Sequence, residues 1–248
     1  MPADTDTDRT VHCQKALQIA READAFQAIA CLESRDDVLA VGQDYSELVR
    51  STYADKNVAG MISFGLAGMH FCLAEAQRRH ASEPENSAKL KGLAKTIAYN
   101  LGANTWPGWN DEGIVLGATD LAIGMDAGLL NLRLAQELSR GPEVMGNAYW
   151  LIGAHHLAAS QPEQALKIFV QAEQAFQQAG KPDFASMAAG YAALATKFTA
   201  AANDAPLPVK ENADRQLQTI LQKLETSEGE DAKFFAEQIR TAEKVLLK

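Results

Sequence analysis

Four stretches of this chain set a glycine in an apolar, helix-forming context and follow it four residues later with Leu or Cys: Leu66-Ala-Gly-Met-His-Phe-Cys-Leu73, Val115-Leu-Gly-Ala-Thr-Asp-Leu-Ala122, Leu151-Ile-Gly-Ala-His-His-Leu-Ala158 and Ala188-Ala-Gly-Tyr-Ala-Ala-Leu-Ala195. Glycine in a helix interior costs about 1 kcal/mol relative to alanine. Its recurrence therefore calls for a neighbour that approaches too closely for any side chain. The glycines, at 68, 117, 153 and 190, are 49, 36 and 37 residues apart. A period in the mid-thirties is that of a helix-turn-helix repeat, in which each hairpin buries its apolar face only by stacking on the next.

The rest of the chain fits that constraint. Apolar spacing of three and four recurs throughout, and strand-like alternation is absent. Ile19, Ala23, Phe26 and Ala30 share one helical face, and Val38, Val41, Tyr45 and Leu48 another, with a turn and N-cap at Ser34-Arg35-Asp36 between them. A helix from about Lys56 to His80 is broken by Ser82-Glu-Pro84, and the next reaches Leu101. Gly102 to Asn110 is the longest irregular stretch, and Asn110 or Asp111 is placed to cap a following helix. Pro162 suits a first helical turn, and Gly180-Lys-Pro182 ends one helix and begins another. Leu217, Ile220, Leu221 and Leu224, then Phe235, Ile239, Ala242 and Leu246, mark two C-terminal amphipathic helices. The sum is an all-α chain of about eleven helices.

The third glycine stretch carries a family pattern. Gly153 is followed by Ala165, Phe169 and Ala172, at spacings of 12, 4 and 3. In this order a small residue on one helix admits the next helix, and an aromatic fills the space beyond. The unit from Gly146 to Gly180 resembles the tetratricopeptide repeat, with looser relatives around Gly68, Gly117 and Gly190. Pro162 and the lack of a closing proline near Gln177 depart from the family pattern. The resemblance implies a right-handed superhelix of stacked antiparallel helical hairpins. The polar, acidic start and the linker-like Asn203-Asp-Ala-Pro-Leu-Pro208 set the expected domains: a flexible N-terminus over 1–10, a repeat domain over 11–203, and a C-terminal helical pair over 204–248 that packs on the repeats or caps them. The resemblance also implies that Asn147 and Trp150, the second and fifth positions of the first helix, face a groove that receives peptides.

Charge and composition narrow the partners. At 248 residues, with a formal net charge of -9 and a pI near 5.1, the chain has no general basic surface for nucleic acid or for an anionic membrane. No run of 18 apolar residues occurs, and the polar, acidic start of the chain has no secretory-signal pattern, so a cytoplasmic location is expected. Cys13, Cys31 and Cys72 are too few and too scattered for a disulfide framework or zinc site and are expected as free, buried thiols.

Several residues qualify as site candidates, each with a packing alternative. Trp106-Pro-Gly-Trp109 puts two aromatics on an interhelical loop, where they could clamp a peptide, sugar or aromatic ligand, or cover a gap between repeats. Trp150 and Asn147 could anchor a peptide, or Trp150 could fill the core between repeats. His155 and His156, with His70 at the repeat position of His155 and Asp120 as a carboxylate, invite a metal or catalytic reading. Adjacent helical residues point about 100° apart, however, and no metal motif accompanies them. Gly113, Gly117, Gly124 and Gly128 are expected to line one helical face against a close neighbour.

The leading expectation is a protein- or peptide-binding scaffold with no cofactor and no catalytic activity. The alternative is a small-ligand receptor or helical enzyme with a pocket near the tryptophan loop and His155/His156. A homodimer through the C-terminal apolar stripes, around Leu221 or Phe235, is a third reading.

Overall fold

The computed structural model describes residues 6–247, and among them every regular element is a helix. Eleven α-helices follow in order: α1 (Asp6–Glu22), α2 (Ala25–Glu33), α3 (Val38–Ala54), α4 (Val58–Arg79), α5 (Pro84–Asn104), α6 (Ala118–Glu137), α7 (Pro142–Ala158), α8 (Pro162–Gln178), α9 (Pro182–Ala202), α10 (Leu207–Thr226) and α11 (Ala232–Leu246). A single 3₁₀ turn, Pro107–Trp109, lies between α5 and α6.

Local chemistry sets most boundaries. The side chains of Asp24, Asp37 and Asn57 accept bonds from the first free amides of α2, α3 and α4. Pro142, Pro162 and Pro182 begin α7, α8 and α9, where a missing N–H costs nothing. Gly180, at φ +66°, adopts the left-handed conformation that ends α8.

Three boundaries differ from the sequence-based expectation. Ile19 to Ala30 is two helices, because Asp24 caps a new start, and Phe26 is 83% exposed. Residues 6–10, expected as part of a flexible lead, belong to α1, while residues 1–5 lie outside the described residues. The stretch before α6 is also longer than expected. Gly102 still belongs to α5, Asn110 ends the 3₁₀ turn at φ +57°, and α6 begins only at Ala118. There Gly117 is the N-cap, and its N–H donates to Asp120 Oδ2 at 2.8 Å. Gly113 sits in a turn at φ +79°. Only Gly124 and Gly128 of the expected glycine line are helical.

The chain divides into two compact units. Unit 1 comprises residues up to Asn104 with Gly113–Val115, and unit 2 comprises Thr105–Glu112 with everything from Leu116 onward. In unit 1, α3, α4 and α5 pack on one another, and α1 and α2 lie on α3 and α4. The core holds Val41, Tyr45, Leu48, Phe64, Cys72, Leu90, Ile97 and Leu101. Gly68 lets α4 meet Tyr45 of α3, since a Cβ there would lie 2.6 Å from that residue's Cβ. By length and composition alone α4 could cross a membrane; its inner stripe, including Met61, Phe64 and Cys72, is buried in unit 1. Asp44 is fully buried and paired with Arg35, and Glu75 is paired with Arg78 and Arg79. Cys13 and Cys72 are buried, Cys31 is half-buried, and all three are free thiols. Burial pushes the Cys13 and Cys72 thiols up to about 12, with nearby carboxylates adding to the effect.

In unit 2 each helix from α6 to α10 packs on the next, as in a helical-repeat stack. The α7/α8 hairpin has the interlock expected of it. A Cβ on Gly153 would lie 2.7 Å from the Phe169 ring, and one on Gly146 would lie 2.7 Å from the Phe176 ring. Ala165 and Ala172 are fully buried between them. The C-terminal pair packs on α9: Leu217, Leu221, Leu224, Phe235 and Ile239 are buried. Lys197 of α9 reaches both Asp214 (2.5 Å) and Glu243 (2.7 Å), tying the three helices together. Leu221 and Phe235, the residues expected at a dimer interface, are thus packed inside the chain, 1% and 6% exposed.

A candidate groove filled by the tryptophan segment

The site begins with residues that share a repeat position. Ala154 follows Gly153 on α7, and Tyr191 follows Gly190 on α9, so the two are equivalent in neighbouring repeats. One indole meets both. Trp106 donates its ring N–H to the Ala154 carbonyl at 2.9 Å, and its ring centroid lies 5.8 Å from that of Tyr191. Trp106 is 1% exposed.

Around this contact the three tryptophans form one cluster. Trp106 is edge-on to Trp109 at 4.9 Å and to Trp150 at 5.5 Å; Trp109 and Trp150 are 5.7 Å apart. Tyr191 meets Trp150 at 5.6 Å and stacks on Phe169 at 5.3 Å. Edge-to-face pairs at such separations gain energy beyond the area they bury. The cluster therefore joins the 3₁₀ turn to the same Phe169 that locks the α7/α8 hairpin. The turn also packs along α11. Burial raises the Tyr191 hydroxyl far above the usual phenol range, and that hydroxyl lies 3.5 Å from Gln238 Oε1 of α11.

This geometry corrects the expected role of Trp150. A groove-facing anchor would be part-exposed, whereas Trp150 is only 4% exposed, because the tryptophan segment lies over it. Trp109 is half-buried, and Asn147, one turn before Trp150 on α7, is also half-buried. The indole N–H of Trp150 is buried without an acceptor.

The histidines and Asp120 do not converge. Asp120 caps the start of α6. His156 is half-buried, with Nδ1 2.8 Å from Gln161 Oε1 just beyond the end of its own helix. His155 is 2% exposed, and its ring lies against Gly124 of α6 beside the Thr105 hydroxyl. His70 is exposed on α4. Among the described residues no group of three or more His, Cys, Asp or Glu is placed to hold a metal ion. Beside the tryptophan loop, Trp106, Trp109, Trp150 and Tyr191 pack against one another.

Open clefts lie elsewhere. In unit 2, Arg140, Met145, Tyr149, Gln171, Gln174 and Gln178 line a cleft of about 420 Å³ along α7 and α8. In unit 1, Leu17, Arg21, Asp55, Asn57, Ser63 and Phe64 line one of about 570 Å³. Sequence reasoning missed Tyr191 and the α7/α8 cleft. No spacing marks Tyr191 or the glutamines, and the equivalence of Tyr191 to Ala154 gains meaning only from the contacts that Trp106 makes with both. No protein-family model matches the chain, and no curated protein matches it either.

Proposed function

We propose that this protein is a binding scaffold of the tetratricopeptide-like kind, which holds a polypeptide segment of a partner on the helices of unit 2. One observation carries the reading. Residues 105–109, a short segment that belongs to no helical hairpin, are held by edge-on ring contacts to Trp150 and Tyr191 and by an indole bond to a helix carbonyl, the means by which helical surfaces hold peptides. The half-buried Asn147 and the Gln- and Tyr-lined cleft of α7 and α8 offer further polar contacts on the same helices. The net charge of -9 favours basic or neutral partners.

The test is site-specific photo-crosslinking in the cells that make the protein. A benzophenone side chain at Asn147 is expected to trap a discrete protein partner, and the same group at the exposed Gln222 of α10 is expected to trap none. Absence of an adduct at Asn147, or equal adducts at both positions, overturns the proposal.

A further inference from the structure

We infer that Trp106–Trp109 is an internal ligand of the unit 2 groove, and that the partner it holds off is a segment bearing two aromatic side chains around a tight turn. The inference rests on the scaffold reading and specifies its partner and its regulation.

The seated segment is the template for the occupant. Pro107 and Gly108 close a single 3₁₀ turn, with Asn110 N–H donating to the Pro107 carbonyl at 3.1 Å, so that the two indoles enter the groove from one short element. Gly108 is required: a Cβ there would fall on three atoms of the Trp106 ring. Trp106 reaches Ala154 and Tyr191, positions that the repeat places in register on adjacent hairpins. Trp109 is only half-buried and shares its ring contacts with Trp106 and Trp150.

A second observation sets the internal ligand apart from the best one. It buries Trp150 to 4% exposure and leaves that indole N–H without an acceptor. An unmade bond at a buried donor weakens the seat. A partner segment that presents a backbone carbonyl to Trp150, as well as two aromatic rings, satisfies the groove better than the chain's own residues do. Tethering offsets that advantage by giving the internal segment an effective concentration of about millimolar order. The groove is thereby closed to weak or non-aromatic peptides and open to a segment of the right pattern.

The experiment uses the full chain and a fluorescent synthetic nonapeptide, Ala-Asn-Thr-Trp-Pro-Gly-Trp-Asn-Asp, copied from residues 103–111. Anisotropy titrations compare the native chain with Gly108→Ala, which unseats Trp106 without deleting a core side chain, and with Trp109→Ala, which removes only the half-buried ring. Helical circular dichroism checks each fold. Both variants are expected to bind the nonapeptide saturably, at least 10-fold more tightly than the native chain, and neither is expected to bind a peptide with alanine at both tryptophans. Folded variants that bind no nonapeptide, or bind no better than the native chain, overturn the inference. If the crosslink at Asn147 persists in that case, the scaffold reading survives without it. Dimerisation of Gly108→Ala in the absence of peptide would identify the occupant as a second copy of the chain and overturn the assignment to a different partner.

Discussion

The two units solve the problem of helix packing with different chemistry. Unit 2 relies on shape: Gly146 and Gly153 admit the rings of Phe176 and Phe169, and the rings continue through Tyr191 to all three tryptophans of the chain. Unit 1 also uses a glycine, Gly68, but the ring it meets belongs to the preceding helix rather than the following one. Its interior is otherwise marked by charge and thiols, with Asp44 on Arg35, Glu75 on two arginines, and the Tyr45 hydroxyl donating to Glu33 at 2.8 Å. The same glycine signature thus serves two packings, and only the residue it touches separates them.

The largest separation between the units is expected at alkaline pH. Cys13 and Cys72, both in unit 1, hold their protons up to about 12 in the folded state, against an ordinary value of 9.0. A thiol with a raised folded pKa contributes its full stability below the unfolded value and loses it as pH rises toward the folded one. Unit 1 therefore weakens from pH 9 to 10, before the raised Tyr45 and Tyr191 hydroxyls add losses of their own in both units, each pKa unit of a well-buried group being worth about 1.4 kcal/mol. Denaturant melts followed by hydrogen exchange should show α3 and α4 opening before α7 and α8 over that range. Replacing both thiols with alanine should flatten the profile.

Trp106→Ala is the corresponding blow to unit 2, expected to cost about 4 kcal/mol as a buried aromatic truncation. Trp150→Phe should cost clearly less than Trp106→Phe, because the Trp106 indole N–H donates to Ala154 and the buried Trp150 indole N–H has no acceptor. Urea melts of the three variants check both statements. Arg35→Ala removes the cation paired with the buried Asp44 carboxylate and is expected to cost about 3 kcal/mol, in a loss concentrated in unit 1. Gly153→Ala forces a methyl against Phe169 and should cost about 2 kcal/mol. Gly128→Ala meets only ordinary contacts at 3.6 Å from Leu151 and Ile152. It should stabilise the chain by about 0.5–1 kcal/mol through helix propensity. A Gly128→Ala loss as large as that of Gly153→Ala would break the account of why these glycines are present.

How far the sequence was legible follows the same division. The α7/α8 hairpin could be read residue by residue, because its spacings are local and each small residue has one large partner nearby in sequence. Gly117 misled, because the four-residue spacing to Leu121 is also compatible with a helix that starts one residue later, with Asp120 as its capping partner. Trp150 misled for a different reason. Its helical position was expected to face a groove, but what covers it comes from 41 residues upstream, at Trp109, and no periodicity reports a non-local contact of that kind. The histidines looked like a site because two are adjacent, whereas His155 packs inward against Gly124 and His156 turns to Gln161.

The most direct test is nuclear Overhauser contact from the indole N–H groups, which number only three in this chain. The Trp106 indole proton is expected to exchange slowly with water and to show contacts to Ala154 and to the rings of Trp150 and Tyr191. Rapid exchange of that proton, with no contact to Trp150 or Tyr191, would contradict the account that the tryptophan segment is seated on α7 and α9 of unit 2.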